Sequence, residues 1–240
     1  MLNVIVPLGG SSELFTSAGY YYPKPLIEVK GKPMIETVLE NPLKITENNK
    51  FIFIVKEEDC NKYHLDSTLK ILVKDATIIK IKNETKGGLC SILMAIDEIQ
   101  DEDELLILNG DQVIDHDFSE ILDYWKSKYA DAGLVTFNSV HPRWSYARVI
   151  DDIVLQTAEK NPISKNAIAG IYYFKNAKSF FDSSFLVIKN DVHLDGKYYI
   201  SPVINEYVLK NNRVIPYAIQ STAYHLFYSP QVLQEFERIK

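Results

Sequence analysis

Residues 2–10, LNVIVPLGG, join a β-branched apolar run to a pair of glycines. The run from Leu2 to Leu8 is strand length and lacks polar alternation beyond Asn3, which reads as a strand buried on both faces. Gly9 and Gly10 end it in a loop. The same grammar recurs downstream. PMIETVLENPLK (33–44) predicts a helix, with Pro33 in its first turn and Ile35, Val38 and Leu39 on one face. FIFIVK (51–56) and ATIIKIK (76–82) predict buried strands, and GLCSILMAIDEI (88–99) a helix. DELLILNGD (103–111) predicts a strand with a polar tip, FSEILDYWKSKY (118–129) a helix, and AGLVTFNS (132–139) a strand. Strand and helix thus alternate through the first ~140 residues, which predicts an α/β fold with a mostly parallel sheet covered on both faces. Ligands of such open sheets bind beyond the carboxyl ends of the strands. Leu8–Gly10 and Asn109–Asp111 fall at such ends. The remainder is less regular: a hairpin over 146–160, a strand at 169–174, helices near 178–188 and 201–210, a strand at 213–219 and a last helix from Pro230.

A chain of 240 residues can hold this as one domain, 1–240. The net charge of −6 argues against a nucleic-acid partner, which calls for a basic stripe. A small anionic ligand needs only a few local cations. Cys60 and Cys90 have no metal-ligand spacing and suit a reducing compartment. No stretch approaches the ~20 apolar residues of a membrane helix, so no membrane partner is expected and a cytoplasmic location is.

Three segments carry candidate chemistry. In VPLGGSSELFTSAGYYYPKPLIEVKGKPMIE (6–36), a Gly-rich turn after a strand can offer backbone N–H groups to phosphates, with hydroxyls from Ser11 and Ser12. Lys24 stands between two prolines, on a stiff backbone, as a point charge for a phosphate. The same glycines would serve an ordinary surface turn. In LLILNGDQ (105–112), Asp111 directly follows a buried strand, where a carboxylate can hold Mg²⁺ or merely cap a turn. In AEKNPISKNAIAGIYYF (158–174), Glu159 and Lys160 would face opposite ways if they lie on a strand, so that one serves a ligand and the other does not.

Together these segments resemble the sugar-phosphate nucleotidyltransferases, of the nucleotide-diphospho-sugar transferase (GT-A-like, Rossmann-like) fold with its three-layer α/β/α arrangement. A capsule-associated branch is similar through ETKGG, NGDQVID, HPRWSYARV, AEKNPIS, AGIYYF and YYISPVINEY, in that order. The resemblance spans nearly the whole chain. It implies attack by a phosphate monoester on the α-phosphorus of a nucleoside triphosphate, with Mg²⁺ as cofactor and pyrophosphate released, for capsule or surface polysaccharide synthesis. CTP is the donor it favours. The acceptor would be a sugar 1-phosphate or a small non-sugar phosphate, and a homo-oligomer is compatible with it. Lys24 would contact phosphates, Asp111 would hold the metal, and Leu8 to Ser12 with Asn109 would border the nucleotide. Thr85, Lys86, Gly87 and Gly88 match the turn along the base. Glu159 and Lys160 match the pair facing the acceptor, with Lys160 in a catalytic role, and Gly170 a close backbone approach to it. Arg143, Trp144, Ser145 and Tyr146, with Tyr198, Asn205 and Glu206, would complete the acceptor pocket.

Two places depart from the family pattern. Relatives carry a Gly-x-Gly-[Ser/Thr]-Arg loop whose Arg grips the triphosphate. GGSSELF (9–15) puts Leu14 at that position, Ser12 at a Gly, and a carboxylate at Glu13. Relatives also place an Asp before a Gly-Thr-Pro turn as a second metal ligand. Here YHLFYSPQVL (224–233) has none, and His225 is the candidate in its place. An active enzyme with a rebuilt phosphate loop, a glycosyltransferase-like enzyme on the same fold, and a non-catalytic nucleotide-binding homologue all remain open on the sequence.

Overall fold

The computed structural model describes residues 1–46 and 48–238; Glu47, Ile239 and Lys240 of the expected domain lie outside the described residues. β1 (Leu2–Pro7) leads to a short α1 (Glu13–Thr16), the two-residue strands β2 (Glu28–Val29) and β3 (Lys32–Pro33), and α2 (Met34–Leu39). Then come β4 (Asn49–Lys56), α3 (Glu57–Tyr63), α4 (Leu65–Leu72), β5 (Thr77–Ile81), α5 (Gly88–Leu93), β6 (Glu104–Leu108), β7 (Gln112–Ile114) and α6 (Phe118–Ser127). The second half holds β8 (Ala132–Asn138), β9 (Tyr146–Ile150), β10 (Ile153–Ala158), β11 (Asn166–Phe174), α7 (Ala177–Lys189), α8 (Ser201–Leu209), β12 (Val214–Ile219), β13 (Tyr224–Leu226) and α9 (Pro230–Arg238).

The main sheet runs β10-β9-β11-β6-β1-β4-β5, with β8 beside β11 and β12 beside β8. β5, β4, β1 and β6 are mutually parallel, as are β8 and β12, while β11 runs antiparallel to both β6 and β8. From β1 the chain steps outward to β4 and β5, then returns to β6 on the other side of β1. The strand order therefore reverses between β1 and β6, where an open sheet leaves a crevice at its carboxyl edge.

Alternation along the buried strands feeds two cores. Val4, Val6, Phe53 and Leu106 pack with α2, α4 and α6 on one face. Ile5, Ile52, Ile54 and Ile107 pack with α5, α7 and α8 on the other. This is the three-layer α/β/α arrangement with a mixed, mostly parallel sheet.

The structure differs from the expected pattern in three places. The helix expected at 33–44 ends at Leu39, because Pro42 has no N–H with which to continue the helical ladder to the Val38 carbonyl, and a 3₁₀ turn follows at Pro42–Lys44. The helix expected at 88–99 likewise ends at Leu93 and resumes as a 3₁₀ turn at Ile96–Glu98. Residues 57–72, for which no element is expected above, form α3 and α4, split at His64 by a left-handed φ of 56°; Leu65, Leu69 and Leu72 recur at helical spacing along α4.

Gly133 on β8 lies directly under Trp125, whose ring stacks on Tyr173. A Cβ at 133 would sit 2.4 Å from the indole. Gly133→Ala should therefore overpack this core and lower stability by about 1–3 kcal/mol, read from urea midpoints. An unshifted midpoint would mean that the indole slides freely.

Candidate functional site

The cleft starts where β1 and β6 end. Leu8 N–H still donates to the Ile54 carbonyl at 2.7 Å, adding one rung beyond β1 before the chain leaves the sheet. Gly110, just past β6, packs directly against Leu8: a Cβ there would lie 2.1 Å from Leu8 Cδ2, and the leucine would have to move to admit it. The two strand ends thus close on each other, and their loops diverge around a cleft of about 400 Å³. Gly9, Gly10 and Ser11 line it on one side and Asn109 to Asp111 on another. The N–H groups of Gly9, Gly10 and Ser11 donate to no protein acceptor among the described residues.

The serine hydroxyls of this loop work first as acceptors. Ser11 Oγ accepts from Glu13 N–H at 3.1 Å, and Ser12 Oγ from Lys24 N–H at 2.9 Å. The second bond staples the glycine loop to the Pro23-Lys24-Pro25 segment, whose 3₁₀ turn aims Lys24 into the cleft. Lys24 Nζ donates to Asp111 Oδ2 at 2.6 Å, with both side chains about 20% exposed. Asp111 Oδ1 takes no protein donor among the described residues. The Asp111 carbonyl is fixed in turn by Phe227 N–H at 2.8 Å.

Thr85, Gly87 and Gly88 form the opposing wall. Gly87 has a φ of 108°, and a Cβ on it would meet the Tyr198 carbonyl oxygen at 2.4 Å. Only glycine allows that turn and that approach. Thr85 Oγ1 lies 2.6 Å from Ser91 Oγ, tying the wall to α5.

A second compartment of about 320 Å³ adjoins the first and shares Gly88, Asn109 and Tyr199 with it. Here Glu159 and Lys160 lie in the turn after β10 rather than on a strand, and Lys160 has a φ of 49°. Both line this compartment, so the expected division between a ligand face and a solvent face does not hold. Glu159 Oε2 accepts from Ser145 Oγ at 2.5 Å and Ser201 Oγ at 2.7 Å. Lys160 Nζ donates to Tyr199 Oη at 3.1 Å, and that bond pushes its pKa up against the opposing effect of burial. Burial, reinforced by the Glu159 charge, holds the Tyr172 hydroxyl far above the ordinary phenol range. Arg143 and Trp144 line the same compartment, with the guanidinium 4.1 Å from the Tyr228 ring centroid.

Of the expected acceptor-side and metal contacts, five lie elsewhere. Tyr146 is fully buried and donates to the His141 carbonyl at 2.7 Å. Tyr198 faces away, donating to Asp191 at 2.6 Å, and its neighbour Tyr199 enters the cleft. Asn205 clamps the Thr157 backbone behind β10, accepting at 2.7 Å and donating at 3.0 Å. Glu206, one residue further along α8, lines neither compartment. His225 pairs with Asp115 at 2.9 Å and packs on Phe236, while its strand neighbours Tyr224 and Leu226 line the second compartment. It is therefore on the wrong face of β13 to join Asp111 at a metal. Gly170, with a φ of 69°, does line this compartment, but the close approach it permits is to Asn109 Nδ2, which a Cβ would meet at 2.1 Å. Tyr199, Ser201, Tyr172 and Tyr224 are the contributions that residue-by-residue reading did not reach.

The family model described as nucleotidyl transferase matches residues 4–213. The bifunctional protein GlmU of Methanocaldococcus jannaschii is 28% identical over 219 residues, covering 89% of this chain and 48% of that protein. GlmU of Methanococcus aeolicus is 29% identical over 160 residues, 64% of this chain and 35% of that one. The chain spans about half the length of these curated relatives or less. The nucleoside-diphosphate-sugar pyrophosphorylase from Vibrio cholerae RC9 shares the fold, with a TM-score of 0.87 at 23% identity over 98% of this chain and 99% of that one.

Because Asn205 binds only the Thr157 backbone and side chain among the described residues, Asn205→Ala should act on stability. A loss of about 1–3 kcal/mol is expected by chemical denaturation, from the buried amide groups left unpaired. A stability equal to the parent chain would show that water replaces the clamp.

Proposed function

The chain belongs to the nucleotidyl transferase family, and from that premise we propose that it moves a nucleotidyl group from a nucleoside triphosphate to a phosphorylated acceptor, with release of pyrophosphate. One observation carries the reading. The unpaired N–H groups of Gly9, Gly10 and Ser11 and the Lys24–Asp111 pair line one cleft at the switch point of the sheet. Backbone donors beside a lysine suit phosphate oxygens.

In this reading an oxygen of the acceptor phosphate attacks the α-phosphorus. The bond from that phosphorus to the oxygen bridging to the β-phosphate breaks, and pyrophosphate leaves with the electron pair. The acceptor brings its own nucleophile, so the protein's work is positioning and charge stabilisation. The glycine loop holds the phosphates, and Lys24 stabilises negative charge that builds on the transferred group. Lys160, kept charged by Tyr199, holds the acceptor phosphate. Glu159 has one oxygen occupied by two serines and the other open for an acceptor hydroxyl or amine.

Magnesium fits the donor set: Asp111 has an oxygen open in the cleft, and Mg²⁺ is commonly bound by one or two carboxylates with waters and substrate phosphates completing its shell. Asp111 would hold it, and when bound it would neutralise phosphate charge as a Lewis acid.

A sugar 1-phosphate is the acceptor class supported by the nucleoside-diphosphate-sugar enzyme of the same fold. The aromatic wall of Trp144, Tyr172 and Tyr224 also suits a small non-sugar phosphate. CTP is favoured as donor by the resemblance to the capsule-associated branch, and capsule or surface polysaccharide assembly is the proposed use.

Pyrophosphate release, measured with CTP, UTP, dTTP and GTP against sugar 1-phosphates and non-sugar phosphate esters, tests the reading. Lys24→Met and Asp111→Asn should each lower kcat/KM by about a hundredfold or more while far-UV circular dichroism stays unchanged. Undiminished rates in both variants would remove the pair from the reaction. Nucleotide binding by calorimetry without turnover for any combination would favour the non-catalytic homologue.

A further inference from the structure

The phosphate loop lacks the cation its resemblance calls for. Leu14 is 60% exposed and lines neither compartment. The other charges of the first compartment are largely spoken for. Lys24 is paired with Asp111 at 2.6 Å, and Glu84 with Lys56 at 3.1 Å. Arg143 and Lys160 line the second compartment instead. Lys197 lines the first, and its ammonium has no protein partner among the described residues.

The backbone under Lys197 is fixed from both sides. Leu194 and Lys197 exchange both backbone hydrogen bonds, at 3.1 and 3.0 Å. The two residues between them, Asp195 and Gly196, have φ values of 51° and 71°. Positive φ at both central positions is the type I′ turn, the tightest way to fold a hairpin back on itself. The next residue then docks on the facing wall: Tyr198 N–H donates to the Lys86 carbonyl at 2.7 Å, and Leu89 N–H to the Tyr198 carbonyl at 3.2 Å. The missing side chain of Gly87 leaves room for that contact. Two side-chain contacts add to the hold, Gly196 N–H donating to His193 Nδ1 at 3.1 Å and the Tyr198 hydroxyl to Asp191 at 2.6 Å, so Lys197 is a solvated, uncommitted cation whose Cα is fixed at the rim of the phosphate cleft.

We propose that Lys197 supplies the triphosphate-gripping charge that Leu14 cannot. The inference rests on the nucleotidyl-transfer reading and adds to it a residue from a segment far from the glycine loop in sequence. A lysine in this role acts as a point charge on phosphate oxygens. Being exposed, it should contribute in a salt-dependent way.

The test is calorimetry of the full chain with Mg²⁺ and each nucleoside triphosphate, alongside steady-state kinetics, for the parent, Lys197→Met and Lys197→Arg. Lys197→Met should weaken triphosphate binding about tenfold, the scale of one lost charge-assisted hydrogen bond. Its thermal midpoint and its KM for the acceptor should not move. Lys197→Arg should restore binding, and the salt dependence should be shallower in the Met variant than in the parent. Equal triphosphate affinity in parent and Met variant would overturn the proposal, as would an effect confined to the acceptor KM. A parent chain that binds no triphosphate at all would instead overturn the nucleotidyl-transfer reading, and this inference with it.

Discussion

The close approach of Leu8 to Gly110 is the constraint from which the site follows. β1 and β6 are adjacent parallel strands, and the sequence order of the sheet reverses between them. Two loops must leave the sheet at neighbouring positions without colliding. The absence of a side chain at 110 lets the Leu8 methyl groups seal the floor between the strand ends. Above that floor the glycine loop and the Asn109–Asp111 tip are free to diverge. Their separation makes the cleft, and the Lys24–Asp111 bond spans it.

That bond also shows how the chain treats charge near its floor. A lysine and a carboxylate, each about one-fifth exposed, sit 2.6 Å apart. Either one left unpaired at that depth would lose hydration with little in return. Paired, they keep a polar site assembled without a ligand. A polyanion entering beside Lys24 would compete with Asp111 for the ammonium, and a divalent cation on the open Asp111 oxygen would offset that competition. The pair is thus a resting arrangement in which each partner can be handed to a stronger one of opposite charge.

Much of this was legible in the sequence because it follows from periodicity and strand ends. Apolar runs of strand length ending in Gly9–Gly10 and Asn109–Asp111 place both loops on one edge of a parallel sheet. Pro-Lys-Pro marks Lys24 by its stiffness, while Gly87 enters only through the family resemblance and its glycine-only turn is seen in the structure. What failed was direction. Tyr198 and Tyr199 are interchangeable as letters, and the backbone bonds of Tyr198 to the Gly87 turn decide which one turns inward. Tyr146 carries a polar atom that a carbonyl of its own loop satisfies, so it could be buried whole. Glu159 and Lys160 defeat the two-face rule because the strand ends at Ala158, and the left-handed backbone of Lys160 brings both side chains to one compartment. For His225 the rule was sufficient: Tyr224 and Leu226 face the cleft, so the residue between them cannot.

The two compartments are not independent cavities that happen to touch. The segment from Leu194 to Tyr199 borders both, with Lys197 in the first and Tyr199 in each. It is anchored to the Gly87 turn through the Tyr198 backbone, and Tyr199 then accepts from Lys160 at 3.1 Å. Two sets of hydrogen bonds, joined by the covalent step from Tyr198 to Tyr199, therefore tie the wall of one compartment to the cation of the other. In-line transfer between two bound phosphates depends on their spacing to a fraction of an ångström. A short arm fixed by backbone bonds sets such a spacing more firmly than two long side chains on separate loops could.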